Sequence, residues 1–258
     1  MVLNLDLTPV LAVFLLSLRI GVLLVMTPIF SNLTKLVSIR VLMTLVLSVA
    51  MVWGQSLGGQ PVWQHLSLDL GSVLMGAIGE VVLGSVLAFS VFAAFGVFSL
   101  AGKIVDIQSG FGLASVFDPV TRASAPIFSH MLNLLAVTVF FSLDGHHALM
   151  RGIAFSVQQM PPGTLLKSLP MAAVLRQFGL MFSLAVALIA PVMFGLFLVE
   201  SGMALLSRVL PQMNVLVLGV AVKIVVALII FALSLGLFLP LMGRIFATIF
   251  TFWEQVLT

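Results

Sequence analysis

Asp144, His146 and His147 stand within four positions of one another, and His130 adds a further imidazole upstream. Carboxylates and imidazoles are the groups of metal ligation and of acid–base catalysis. Their spacing argues against both. Neighbouring residues on a helix diverge by about 100°, and on a strand they point to opposite faces, so His146 and His147 make no ready chelate. The stretch reads as a helix end or loop. The chain has no Cys, which excludes disulfides, thiolate nucleophiles and Cys-based metal sites, and no nucleophile–base pattern or metal-ligand spacing is visible elsewhere. No P-loop or other nucleotide motif occurs. The sequence assigns no catalytic, metal or cofactor residue, and the expectation is a chain that is not an enzyme and needs no cofactor.

The other polar residues of interest are isolated charges. Arg19, Glu80, Glu200 and Lys223 lie in or beside long apolar runs, where an unpaired charge is costly. They are expected to face partners, across helices or across subunits, rather than lipid. Arg208 follows Glu200 by eight positions, about two helical turns, so the two share a face. A role at a helix end, against the last carbonyls and the macrodipole, is equally open to Arg208.

The elements that must carry these residues are unusually apolar. Hydrophobic residues make up 62% of the 258 and charged residues only 7%, against roughly 25% charged in an ordinary soluble domain. With a mean hydropathy of +1.31, the chain cannot cover a core with polar surface, so lipid or partner proteins must do it. The net charge of +3 comes from single, scattered basic residues with no cluster that tracks phosphates, so nucleic acid is not an expected partner. No Lys or Arg precedes Arg19, and without a cationic leader region the first apolar segment is expected to stay in the mature protein.

A hydrocarbon core about 30 Å thick takes ~20 apolar residues of helix. Residues 41–68, 81–102, 123–143 and 177–199 contain no Asp, Glu, Lys or Arg, and residues 7–34 and 209–243 are each interrupted by one basic residue. These are about six apolar elements. Runs above ~18 residues are too long for single strands, so the expected fold is all-α. Turn chemistry at 54–61, 110–126, 144–170 and 211–214 separates the elements. Pro28, Pro191 and Pro240 lie near or inside them, where proline removes a backbone hydrogen bond, so kinked or broken helices are expected. The positive-inside rule puts the N-terminus outside and accounts for the first three loops. It is violated by the fourth, which carries Arg151, Lys167 and Arg176. Small residues at four-residue spacing, Ser72 and Gly76, Gly84 and Ala88, Ser90 and Ala94, predict close helix approach.

Three stretches carry more information. One is KIVDIQSGFGLASVFDP from Lys103, followed by MLNLLAVTVFFSLDGHHAL from Met131; the second is RIGVLLVMTPIFSN from Arg19; the third is VESGMALLSRVLPQMNVLVLGVAVKI from Val199. In this order and spacing they resemble the FliR family, whose injectisome relatives are called SctT. The resemblance covers residues 19–240. The LDGHH stretch favours the flagellar branch.

That resemblance implies a structural subunit of a flagellar type III protein export gate in the bacterial inner membrane, at the flagellar basal body. It would form with FliP and FliQ a closed conduit through which unfolded export substrates pass, with FlhB and FlhA as further partners. It also implies a FliP-like portion over residues 1–175, including the 110–126 loop, and a FliQ-like helical hairpin over residues 176–258. The hairpin turn would be Pro211, Gln212, Met213 and Asn214. Independently of the resemblance, Glu80, Glu200, Arg208 and Lys223 are expected to be intersubunit or interhelix charges.

The 110–126 loop is expected to be a plug in the conduit. Gly110 and Gly112 loosen the backbone, Pro119 and Pro126 prevent a continuous helix, and Phe111, Leu113, Val116, Phe117 and Asp118 mix apolar groups with a charge that lipid rejects. The 14 Met and 21 Phe suit a deformable constriction, although lipid-facing and core packing account for most of them. The competing function is a small-solute secondary transporter or ion channel with a midplane site on broken helices. No matching pair of broken segments in two halves supports it.

Overall fold

The computed structural model describes residues 7–28, 37–57, 63, 66–111, 126–164, 171–209 and 215–258. Among the described residues it is all-helical: α1 (Thr8–Met26), α2 (Val37–Leu57), α3 (Leu70–Ser109), α4 (Ile127–Ser142), α5 (Gly145–Gln159), α6 (Met171–Val209) and α7 (Val215–Leu257). Five of these, α1, α2, α3, α6 and α7, are long and apolar enough to cross a membrane, and the bent pair α4 and α5 makes a sixth if counted as one span. The expectation of an all-α integral membrane protein with about six apolar elements is met.

Two details differ from the sequence reading. Pro28 does follow the end of α1, but Pro191 lies inside α6 and Pro240 inside α7 without ending either helix. A proline loses one hydrogen bond to the preceding turn, and helices of 39 and 43 residues keep enough other bonds to continue. The second difference is α5, which forms where turn chemistry was read. Its buried residues Leu149, Ile153, Ser156 and Val157 recur at helical spacing and give it an apolar stripe. A search for 20-residue apolar runs passes over so short and polar a helix. Arg151, one of the charges that violated the positive-inside count, belongs to α5 and not to a loop.

The chain forms two compact units that alternate along the sequence. The first comprises Met1–Ala93, Asp144–Gln177 and Thr248–Thr258, and in it α1 packs against α2. Its core includes Leu15, Leu16, Ile20, Leu83, Leu87, Ile153 and Trp253. The Trp253 indole N–H donates to the Leu87 carbonyl at 3.1 Å and to Ser90 Oγ at 2.8 Å, so a large buried ring brings its one polar atom to a partner. Gly152 makes room for that ring, since a Cβ there would lie 2.4 Å from it.

The second unit comprises Ala94–Leu143 and Phe178–Ala247. Its core is aromatic: Phe246 meets Phe95 at 5.5 Å, Phe98 at 5.6 Å and Phe140 at 5.3 Å between ring centroids. These phenylalanines are packing groups. Gly102 lets α3 approach α4 closely, because a Cβ there would lie 2.3 Å from Ser129 Cα.

Large apolar side chains also stand on the outside. Leu218, Val225, Ile229, Leu233 and Leu237 of α7 and Phe178, Phe182, Val186, Phe194 and Phe197 of α6 are exposed. So many exposed large apolar side chains on two helices are unfavourable in water and belong against lipid or other apolar protein.

Candidate functional site

In the first unit the charge centre is Arg19 on α1 and Glu80 on α3. Both side chains are essentially inaccessible, at 1% and 0% exposure. Arg19 Nε donates to Glu80 Oε2 at 2.6 Å and Nη2 donates to Oε1 at 3.0 Å, giving a two-point pair. Nη1 also donates to the Ser156 carbonyl and Oγ, and Nη2 to the Met160 carbonyl. Glu80 Oε1 accepts the Gly163 N–H at 2.9 Å. The planar fork of arginine suits this geometry, and the surrounding carbonyls and N–H satisfy what the pair leaves over, as burial requires.

Local packing allows it. Gly84 lies one turn from Glu80 on α3, and a Cβ there would lie 2.8 Å from the Arg19 carbonyl, so α1 comes close enough for the guanidinium to reach. Gly76 meets Gly163 Cα, where a Cβ would lie at 3.2 Å, and Gly163 itself has φ +84°, a conformation natural to glycine. The small-residue pairs 72/76 and 84/88 therefore contain the contact positions Gly76 and Gly84. Glu80, one of the charges expected to face a partner across helices or across subunits, pairs with Arg19 of the same chain.

In the second unit Asp106, near the C-terminal end of α3, caps α4. Its carboxylate accepts the Phe128 N–H at 2.9 Å, the Ser129 N–H at 3.0 Å and the Ser129 hydroxyl at 2.7 Å. The residue at the helix's own cap position, Pro126, makes no side-chain cap bond. Orphan N–H groups at a helix start need acceptors, and a carboxylate is favoured there by the macrodipole as well. Asp106 thus ties together the two ends of the segment read as a plug. The sequence does not point to it, because Asp106 stands 22 and 23 positions from Phe128 and Ser129 and no local pattern marks the pairing.

Of the expected plug loop, Gly110, Phe111 and Pro126 are among the described residues. Gly110 has φ +94°, and a Cβ there would lie 3.2 Å from Val220 Cγ1. The Phe111 ring meets Phe128 at 5.8 Å, Phe128 meets Phe231 at 5.4 Å, and Phe231 meets Phe238 at 5.5 Å. Gly112, Leu113, Val116, Phe117, Asp118 and Pro119 lie outside the described residues, as do Pro211, Gln212, Met213 and Asn214 of the expected hairpin turn.

Lys223 on α7 and Glu200 on α6 pair at 3.1 Å, with Lys223 19% and Glu200 58% exposed. Together with Ile104, Ile107 and Gln108 they line an open cleft of about 430 Å³. Arg208 sits in the last turn of α6, where a cation is favoured by the macrodipole.

Asp144 is the N-cap of α5 and His146 and His147 stand in its first turn, a helix end as expected, but their side chains come together, which the spacing did not predict. The two imidazole centroids are 4.1 Å apart. Diverging Cα–Cβ directions do not prevent this, because rotation about χ1 and χ2 brings the rings of adjacent residues back over one another.

A chain whose described residues are all-helical, with five apolar helices of spanning length among them and a buried Arg19–Glu80 pair between two of those helices, is an integral membrane protein. Residues 10–249 match the family described as bacterial export proteins, family 1, and the chain belongs to that family. The match agrees with the FliR resemblance carried by residues 19–240. Flagellar biosynthetic protein FliR of Bacillus subtilis (strain 168) is 28% identical over 186 residues, covering 70% of this chain and 71% of the relative. FliR of Escherichia coli (strain K12) is 23% identical over 242 residues, covering 93% and 90%. Yop proteins translocation protein T of Yersinia pestis is 27% identical over 186 residues, covering 71% and 70%.

Proposed function

We propose that this chain is a structural component of a type III protein export apparatus, and specifically the FliR-like subunit of a flagellar export gate in the inner membrane. Assembled with FliP and FliQ, and adjoining FlhB and FlhA, it forms part of the wall of a closed conduit for unfolded export substrates. The observation that carries the reading is the family match over residues 10–249, with relatives named for flagellar biosynthesis and for Yop translocation.

The geometry is consistent with it. Fully satisfied charge clusters make rigid, catalytically idle joints, while the exposed apolar faces of α6 and α7 suit packing on neighbouring subunits or lipid. In this reading residues 1–175 are the FliP-like portion and residues 176–258 the FliQ-like hairpin. Residues 110–126 are the plug, leaving α3 and returning to α4 beside the Asp106 cap.

The decisive experiment is affinity purification of the chain from membranes in mild detergent. A large complex of fixed stoichiometry containing FliP and FliQ is expected. A stable monomer or homo-oligomer that transports a small solute after reconstitution would instead establish the transporter reading. For the plug, residues 111–117 are deleted in the assembled gate and ion leakage is measured. Raised leakage is expected; normal assembly with wild-type leakage would make the segment a packing loop.

A further inference from the structure

Asp144 occupies the N-cap position of α5 with φ +54° and ψ +29° and forms no side-chain cap bond. It is the only non-glycine residue with positive φ among those described. Its carboxylate is directed elsewhere: Asp144 Oδ1 lies 3.4 Å from His147 Nδ1. One ligand-type atom each from Asp144, His146 and His147 lie within 4.8 Å of one another. The Asp144 and His147 side chains are 77% and 65% exposed, so an ion can reach them, while His146 is half-buried and gives the cluster a sheltered side.

We infer that Asp144, His146 and His147 form a transition-metal site, with Zn²⁺ the best-fitting ion. Zinc bonds of about 2.0–2.2 Å to nitrogen and oxygen in a tetrahedron set neighbouring ligand atoms about 3.4 Å apart. The separation between His147 Nδ1 and Asp144 Oδ1 already has that value. Rotation of the His146 ring brings the third ligand in, and water completes the coordination. Two imidazoles and one carboxylate select zinc, copper or nickel over magnesium and calcium, which prefer all-oxygen sites. The carboxylate also supplies the negative charge needed at a helix start, where the macrodipole would otherwise oppose a cation. Binding would fix the Asp144 backbone and the first turn of α5.

The test uses the full-length chain, purified with a tag that contains no histidine, stripped with chelator and titrated with Co²⁺. About one Co²⁺ per chain, with visible ligand-field absorption that Zn²⁺ abolishes and Mg²⁺ does not, is expected. Asp144→Asn and His147→Gln should each lose the absorption while eluting from gel filtration like the wild type, because both side chains are exposed. His130→Gln should retain it. No Co²⁺ absorption in the wild type, or absorption that persists in both Asp144→Asn and His147→Gln, would overturn the site. If either variant elutes abnormally, the wild-type titration and the other variant still decide the matter.

Discussion

Arg19 and Glu80 are 61 positions apart and meet in a two-point ion pair with the shorter contact at 2.6 Å. The pair joins α1 to α3, and through Ser156, Met160 and Gly163 it also holds α5 and the turn that follows it. Removing one member leaves the other charged and buried, which typically costs about 3–5 kcal/mol, whereas replacing both with apolar residues of similar volume is often close to neutral. Arg19→Ala and Glu80→Ala are each expected to lower the melting temperature in detergent sharply. The double variant Arg19→Met with Glu80→Met should recover much of the loss. A single variant that melts like the wild type would remove this pair from the account of stability.

Asp106 supplies the acceptor for three donors at the start of α4. Asp106→Ala orphans them, at about 1–3 kcal/mol for buried groups left unsatisfied, and frees the two ends of the intervening segment from each other. Limited proteolysis should then cut between residues 110 and 126 faster than in the wild type. Asp106→Asn keeps one acceptor oxygen and should fall between the two. Equal cleavage rates in all three proteins would contradict a tethering role.

The glycines divide into two groups with opposite expected effects. Gly102→Ala places a Cβ 2.3 Å from Ser129 Cα, a backbone contact that cannot rotate away, and overpacking of this kind costs about 1–3 kcal/mol. A Cβ at Gly179 or Gly236 meets nothing within 4 Å. Alanine there should raise stability by up to about 1 kcal/mol through helix propensity. Thermal melts of Gly102→Ala, Gly179→Ala and Gly236→Ala test both directions at once; a stabilised Gly102→Ala would show that α3 and α4 do not approach so closely.

The pair formed by Lys223 and Glu200 is partly exposed, and its direct contribution to stability is expected to be under about 1 kcal/mol after solvent screening. Its charge order is expected to matter for assembly. Lys223→Glu sets like charges side by side and should lower recovery of the complex, and Lys223→Glu combined with Glu200→Lys should restore it. If the double reversal recovers no better than Lys223→Glu alone, the contact that matters is between Lys223 and another subunit.

The residues that declare themselves in the sequence are those whose effect is local. Twenty-residue apolar runs determine a helical membrane protein without reference to anything distant, and Gly76 and Gly84 mark close approaches because a missing side chain has a meaning at its own position. The Arg19 stretch and the segment following Lys103 carry the family resemblance in the same way, as short contiguous patterns. Tertiary structure alone decided which charge meets which. Nothing near Arg19 in sequence points to Glu80, and Asp106 reaches Phe128 and Ser129 only because α3 and α4 touch at Gly102. Helix α5 was hidden because its stripe of Leu149, Ile153 and Val157 acquires value only when other helices cover it, and Trp253 is core only because Gly152 leaves it space. Apolar burial in lipid is set by composition and length, whereas ion pairing and capping act over a few ångströms and require the chain to have folded first.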